Sequence, residues 1–121
     1  MGRIQQFEDI EAWQQARVLA NRIYDATQAG SFERDFALRD QINRASVSVM
    51  SNIAEGFERG GDREFARFLR IAKGSVGEVR SQLYCALDRG HVTDGSFDTL
   101  RDLSVEISRK LATLIRYLDA S

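Results

Sequence analysis

The chain has 121 residues, with 17 basic against 18 acidic side chains, a formal net charge of −1 and no proline. That length suits one domain, residues 1–121, with a core of its own. The charge balance argues against a protein whose whole surface is an electrostatic footprint for nucleic acid or anionic membrane. A single cysteine, Cys85, excludes an intramolecular disulfide and fits a reducing compartment. The start, MGRIQQFEDIEAW, has no apolar run long enough for a signal peptide, and nowhere do about 18 apolar residues occur together. The expectation is a cytoplasmic protein that makes no use of a membrane.

The glycines fall mainly between periodic segments, the composition of helices joined by turns. Helix one is expected from Glu8 to Ala29, with Ile10, Trp13, Ala16, Ala20, Ile23 and Thr27 inward and Gly30 as its left-handed terminal residue. Phe7 stands just ahead of it, placed to close over the bundle end.

Helix two is expected after Ser31, a candidate N-cap, with Leu38, Ile42, Ala45, Val49, Asn52 and Gly56 on one face. Two of these are odd choices for a core. Asn52 brings an amide that needs partners, and Gly56 costs roughly 1 kcal/mol against Ala in a helix interior, so something must pack closely there. Phe36, Val47, Met50, Ile53 and Phe57 widen the apolar stripe beyond what one neighbour covers.

Gly60 and Gly61 form a short link, with Asp62 as the expected N-cap of helix three. Phe65, Leu69, Ala72, Val76, Val79, Leu83 and Ala86 then alternate spacings of four and three, a heptad seam. Gly90 ends it, and residues 91–95 read as a turn. Helix four runs from about Ser96 to Leu118 on Phe97, Leu100, Leu103, Ile107, Leu111, Leu114 and Leu118. The pattern is all-α: an antiparallel up-down-up-down four-helix bundle.

The runs FEDIEAWQQA, QINRASVSVMSNIAEGFERG and FARFLRIAKGSVGEV resemble the small bacterial four-helix-bundle family of intervening-sequence, or S23-type, proteins. Genes of that family were first noticed inside insertions in large-subunit (23S) ribosomal RNA genes. The resemblance covers Phe7 to Gly90, and Asn52-Ile53-Ala54-Glu55-Gly56 is its most specific run; helix four matches only as an amphipathic helix. It implies a four-helix protomer, not established as an enzyme and often assembled as a ring-like homopentamer. A related branch, the accessory proteins of diversity-generating retroelements, is similar in fold but strongly basic and binds nucleic acid. This chain departs from that branch in being near neutral. It also has Phe32-Glu33 where the family commonly has a proline after the phenylalanine.

Three constellations are candidates for function. The first is polar: Arg44, Asn52, Glu55, Ser75 and Glu78, with Ser48 and Trp13 as neighbours. Hairpin arithmetic about Gly60 sets Arg44 level with Glu78 as an expected ion pair, and Glu55 level with Asp9 to Trp13, where it is expected to bond. Glu55 and Glu78 could serve as paired carboxylates for acid/base work or metal binding. The preferred reading is a buried network that sets helix register. No catalytic, metal-binding or cofactor-binding residue is assigned, and no small-molecule substrate is expected. His91 is expected to be a solvated turn residue, and Cys85 has no partner histidine in view. Gly74 and Gly77 lie inside the helix-three heptads without a Walker ending, and close helix packing is the expected reason for them.

The second constellation is basic: Arg59, Arg63, Arg67, Arg70 and Lys73, running from the link into helix three and spaced four, four, three and three, span about 120° of arc at 100° per residue, centred away from the helix-three seam. Such a stripe can follow the phosphates of RNA or DNA. Alternatively it is a solvated face, or pairs with Asp35, Asp40, Glu58 and Glu64. The third is apolar: Val47, Met50, Phe57, Phe68 and Ile71 lie off the seams and point to self-association. The residues therefore suggest a non-enzymatic homo-oligomeric scaffold or interaction protein of unidentified partner, pentameric as the resemblance implies. The alternative is a nucleic-acid-binding accessory protein using the helix-three stripe.

Overall fold

The computed structural model describes residues 4–121. Four helices, α1 (Glu11–Thr27), α2 (Phe36–Glu58), α3 (Asp62–Asp88) and α4 (Asp94–Ala120), make up almost all of it, with 3-10 turns at Phe7–Asp9 and Gly30–Arg34. No strand occurs among the described residues. Each helix packs on its neighbours in sequence, and α4 closes against α1. Cross-helix pairs fix the antiparallel sense. Asn43 donates to the Thr27 hydroxyl at 2.9 Å, Gly56 lies against Phe65 and Phe68, Tyr84 meets Phe97 edge-on at 4.9 Å, and Lys110 donates to Glu11 at 2.6 Å.

Chain entry is set by a reciprocal cap. The Asp9 carboxylate accepts the backbone N–H groups of Gln5 and Gln6 at 3.1 and 3.2 Å, so α1 begins only after Ile10 has turned inward into the core. Phe7 closes on Trp13 edge-to-face, with ring centroids 5.1 Å apart. Trp13 is half-buried, while Ala12 and Leu19 join Ala16, Ala20, Ile23 and Thr27 in the buried face.

The first connection differs from the expectation. Helix one stops at Thr27, and Gly30, with φ of +58°, opens a 3-10 turn rather than ending the helix. That turn drives Phe32 into the end of the core, where its exposure is 1%. Asp35, not Ser31, caps α2: its carboxylate accepts the Leu38 N–H at 3.4 Å.

Gly60 and Gly61, at φ of +71° and +85°, reverse the chain at the other end, and Gly61 rather than Asp62 is the residue before α3. Asp62 sits in the first turn, where its charge suits the helix dipole. All seven residues of the predicted helix-three seam are buried. In α4 the buried line runs through Ser104 and Ile115, which leaves Leu103 and Leu114 half-buried on the flanks. The Ser104 hydroxyl satisfies itself within the helix by donating to the Leu100 carbonyl at 2.8 Å. Burying each large apolar side chain contributes about 1.5–3 kcal/mol, so the four converging stripes carry most of the stability.

Gly56 is where α2 and α3 come closest. A Cβ added there would lie 2.5 Å from the Phe68 Cβ and 3.2 Å from a Phe65 ring carbon. Gly74 and Gly77 do the opposite of what close packing would require: both are exposed, and a Cβ at either meets nothing within 4 Å.

Candidate functional site

The central polar constellation is smaller than its sequence suggests. Ser48 and Ser75 share a hydrogen bond at 3.0 Å across the α2–α3 seam, and Asn52 donates to the Ser48 hydroxyl and carbonyl at 2.9 and 2.8 Å. Its amide therefore has partners one turn back on its own helix, and Ile53 takes the fully buried position beside it. The carboxylates stand apart from this seam. Glu55 is exposed and pairs with Arg59 one turn along α2 at 3.0 Å, not with residues 9–13 of the first helix. Glu78 is exposed and accepts from Gln82 at 3.3 Å; it does not pair with Arg44, which is itself exposed. Their helix faces turn both carboxylates to solvent, where they find nearer partners. Glu55→Gln removes only a surface pair and is expected to change stability by no more than about 0.5 kcal/mol, readable in urea melts.

The basic stripe is largely answered by acids of the same chain. Arg59 pairs with Glu55 and reaches Glu64, Arg67 pairs with Glu64 at 2.9 Å, and Arg70 pairs with Asp119 of α4. The hydrogen bond from Arg67 holds Glu64 below the usual carboxylate range and raises Arg67 in turn. Arg63 and Lys73 form no ion pair among the described residues.

Of the apolar set, Val47 and Ile71 are exposed at 50% and 42%, and Met50 and Phe57 are half-buried. Phe68, expected outside, is 6% exposed. The notch left by Gly56 admits it, and Arg59 and Arg67 stack over its ring at 5.0 and 4.5 Å. Val47 lies about 200° around α2 from buried Val49, and Ile71 stands one position before buried Ala72 of α3.

Two surface grooves complete the candidates. The larger, about 930 Å³, runs between the start of α1 and the second half of α4, with Ile4, Ile10, Ala12, Leu114 and Tyr117 as apolar lining. Lys110 at its rim is held between Glu11 and Glu106, and Glu11 chiefly raises its affinity for the proton. The other, between α3 and α4, gathers Arg80, Arg101 and Arg109 with Asp102 and Glu106. Asp102 pairs with Arg101 at 2.8 Å, and Glu106 is engaged by Lys110 and Gln15.

Sequence reasoning missed the best-connected polar cluster. His91 is in the expected turn, but its side chain is only 9% exposed. Its Nδ1 lies 2.7 Å from the Ser31 hydroxyl and its Nε2 lies 2.9 Å from Asp35 Oδ2, while the ring stacks on Phe32 with centroids 5.0 Å apart. Arg89 donates to the same Asp35 oxygen at 2.8 Å. The hydrogen bond from His91, then that from Arg89, holds the Asp35 carboxyl at about 2 against an ordinary 3.8. The components match a nucleophile, a base and an orienting carboxylate. The grooves described above lie elsewhere, however, and the imidazole is flat against a phenylalanine.

Among the described residues no group of three or more His, Cys, Asp or Glu side chains could hold a metal, and no helix is long and apolar enough to cross a membrane. Fold and surface together define a small all-α four-helix protein. The chain belongs to the 23S rRNA-intervening sequence protein family, whose model matches residues 8–113. A crystal structure of a protein of unknown function from the S23 ribosomal protein family of Bacteroides thetaiotaomicron VPI-5482 has the same fold. It matches with a TM-score of 0.80 and 22% identity, covering 87% of this chain and 95% of that one. No curated protein matches the chain.

Proposed function

We propose that the chain is a non-enzymatic helical scaffold that works as a homo-oligomer, pentameric as its resemblance implies, and presents its surface to a partner yet to be identified. The observation that supports this is unspent apolar surface: exposed Phe36, Val47 and Ile71, together with the groove lined by Ile4, Ile10, Leu114 and Tyr117. The groove is contiguous, as association surfaces are, whereas Phe36, Val47 and Ile71 are exposed singly. The carboxylates considered for chemistry are exposed and each pairs within its own helix, which supports an interaction role over catalysis.

Sedimentation velocity from low to high micromolar concentration tests the reading. An assembled species is expected at the upper end, shifting toward the monomer in Val47→Glu or Ile71→Glu. A monomer throughout would remove the proposal.

A further inference from the structure

Ser31, Asp35, Arg89 and His91 come from both chain connections at one end of the bundle: the 3-10 turn between α1 and α2, and the turn between α3 and α4. We infer that these four residues form a proton-tolerant clasp, in which His91 ties the two connections together in both of its charge states.

The geometry carries this. A neutral imidazole has one N–H and one lone pair. Asp35 is ionised and can only accept, so the N–H belongs on Nε2, and the Nδ1 lone pair must then accept from the Ser31 hydroxyl. When the ring takes a second proton, Nδ1 becomes a donor, and the same hydroxyl rotates to accept from it. Both bonds survive. The charged groups facing the ring are Asp35 at the start of α2 and Arg89 at the end of α3; the 3-10 turn contributes neutral Ser31 and Phe32. Among the described residues α4 contributes no ion pair to the ring. Asp35 is thus the anionic anchor for two cationic donors once His91 is charged.

The sign of the acid dependence follows from Asp35. Its carboxyl is lowered in the folded chain, so the stability it contributes is present above its ordinary value of 3.8 and is lost as pH falls toward about 2. The clasp therefore opens in the range where Asp35 takes its proton.

Because the chain has one histidine, its imidazole nitrogens can be read without assignment in the full-length labelled protein. Nitrogen-15 NMR at pH 8 is expected to show the Nε2–H tautomer. Amide exchange at residues 29–36 and 88–94, corrected for intrinsic rates, is expected to change less than about threefold from pH 8 to 5 and to rise steeply below about pH 4. At pH 7, Asp35→Asn and His91→Gln are each expected to speed exchange there by roughly tenfold or more, the scale of a lost charge-assisted bond. Ser31→Ala combined with His91→Gln should exchange no faster than His91→Gln alone. A neutral ring in the Nδ1–H form, a mixture of tautomers, or loss of protection between pH 7 and 5 would overturn the clasp, and the wild-type spectra require no variant to fold. Covalent capture of Ser31 by a fluorophosphonate would overturn it too, since the hydroxyl would then be a nucleophile.

Discussion

A Phe32→Ala chain is expected to lose about 3–5 kcal/mol of stability, the scale for deleting a buried aromatic ring. Phe32 belongs to a connection rather than a helix, yet it heads the fully buried side chains by volume. Its removal opens a cavity at the end of the core and takes away the surface on which the His91 ring is stacked. Against a total of about 5–15 kcal/mol for a domain, that is a large fraction, and the variant should melt well below the wild type. Phe32→Leu keeps most of the apolar volume and should cost less than about 1.5 kcal/mol. Urea unfolding of the three chains reads both values. If Phe32→Ala fell within 1 kcal/mol of wild type, the 3-10 turn would not be a plug for the core.

Substitution at Gly56 should be nearly as damaging and opposite in sign to helix propensity. Propensity alone favours Ala over Gly by about 1 kcal/mol in a helix interior. Here the added Cβ lies 2.5 Å from the Phe68 Cβ, an atom bonded to backbone that cannot swing aside, so α2 and α3 must separate. Overpacking of this kind costs about 1–3 kcal/mol. Gly56→Ala is therefore expected to be destabilising by about 1–2 kcal/mol and Gly56→Val by about 3 kcal/mol. Gly74→Ala is the control, since its Cβ meets nothing within 4 Å and the helix gains about 1 kcal/mol. Thermal melts showing Gly56→Ala more stable than wild type would mean that the two helices are not held in contact there.

Much of the fold was legible because its periodicities are long. The α3 seam from Phe65 to Ala86 needed only the spacings of four and three, and Gly56 announced a close approach by being costly where it stands. What was not legible depended on partners distant in sequence. Phe68 looked like surface because its helix alone does not reveal that Gly56 makes room for it, 12 positions earlier. Arg70 meets Asp119 across 49 residues of chain, and His91 meets Ser31 across 60. Periodicity carries no information about such pairs. Asp35, an acid directly before an apolar-periodic run, was a readable cap signal, and it would have moved the start of α2 away from Ser31. For Glu55 and Glu78, spacing indicates a level along the bundle, but rotation about the helix axis turns both to solvent.

The groove between α1 and α4 also bears on how the chain comes together. The other main contacts among the four α-helices join consecutive helices, a local topology of the kind that lets bundles fold in microseconds to milliseconds. The α1–α4 seam forms only when the first and fourth helices meet, so the entropy of closing the segment between them opposes it most. It also keeps an open apolar channel after closure. On loop entropy alone, the seam expected to close last is thus one that stays incompletely filled.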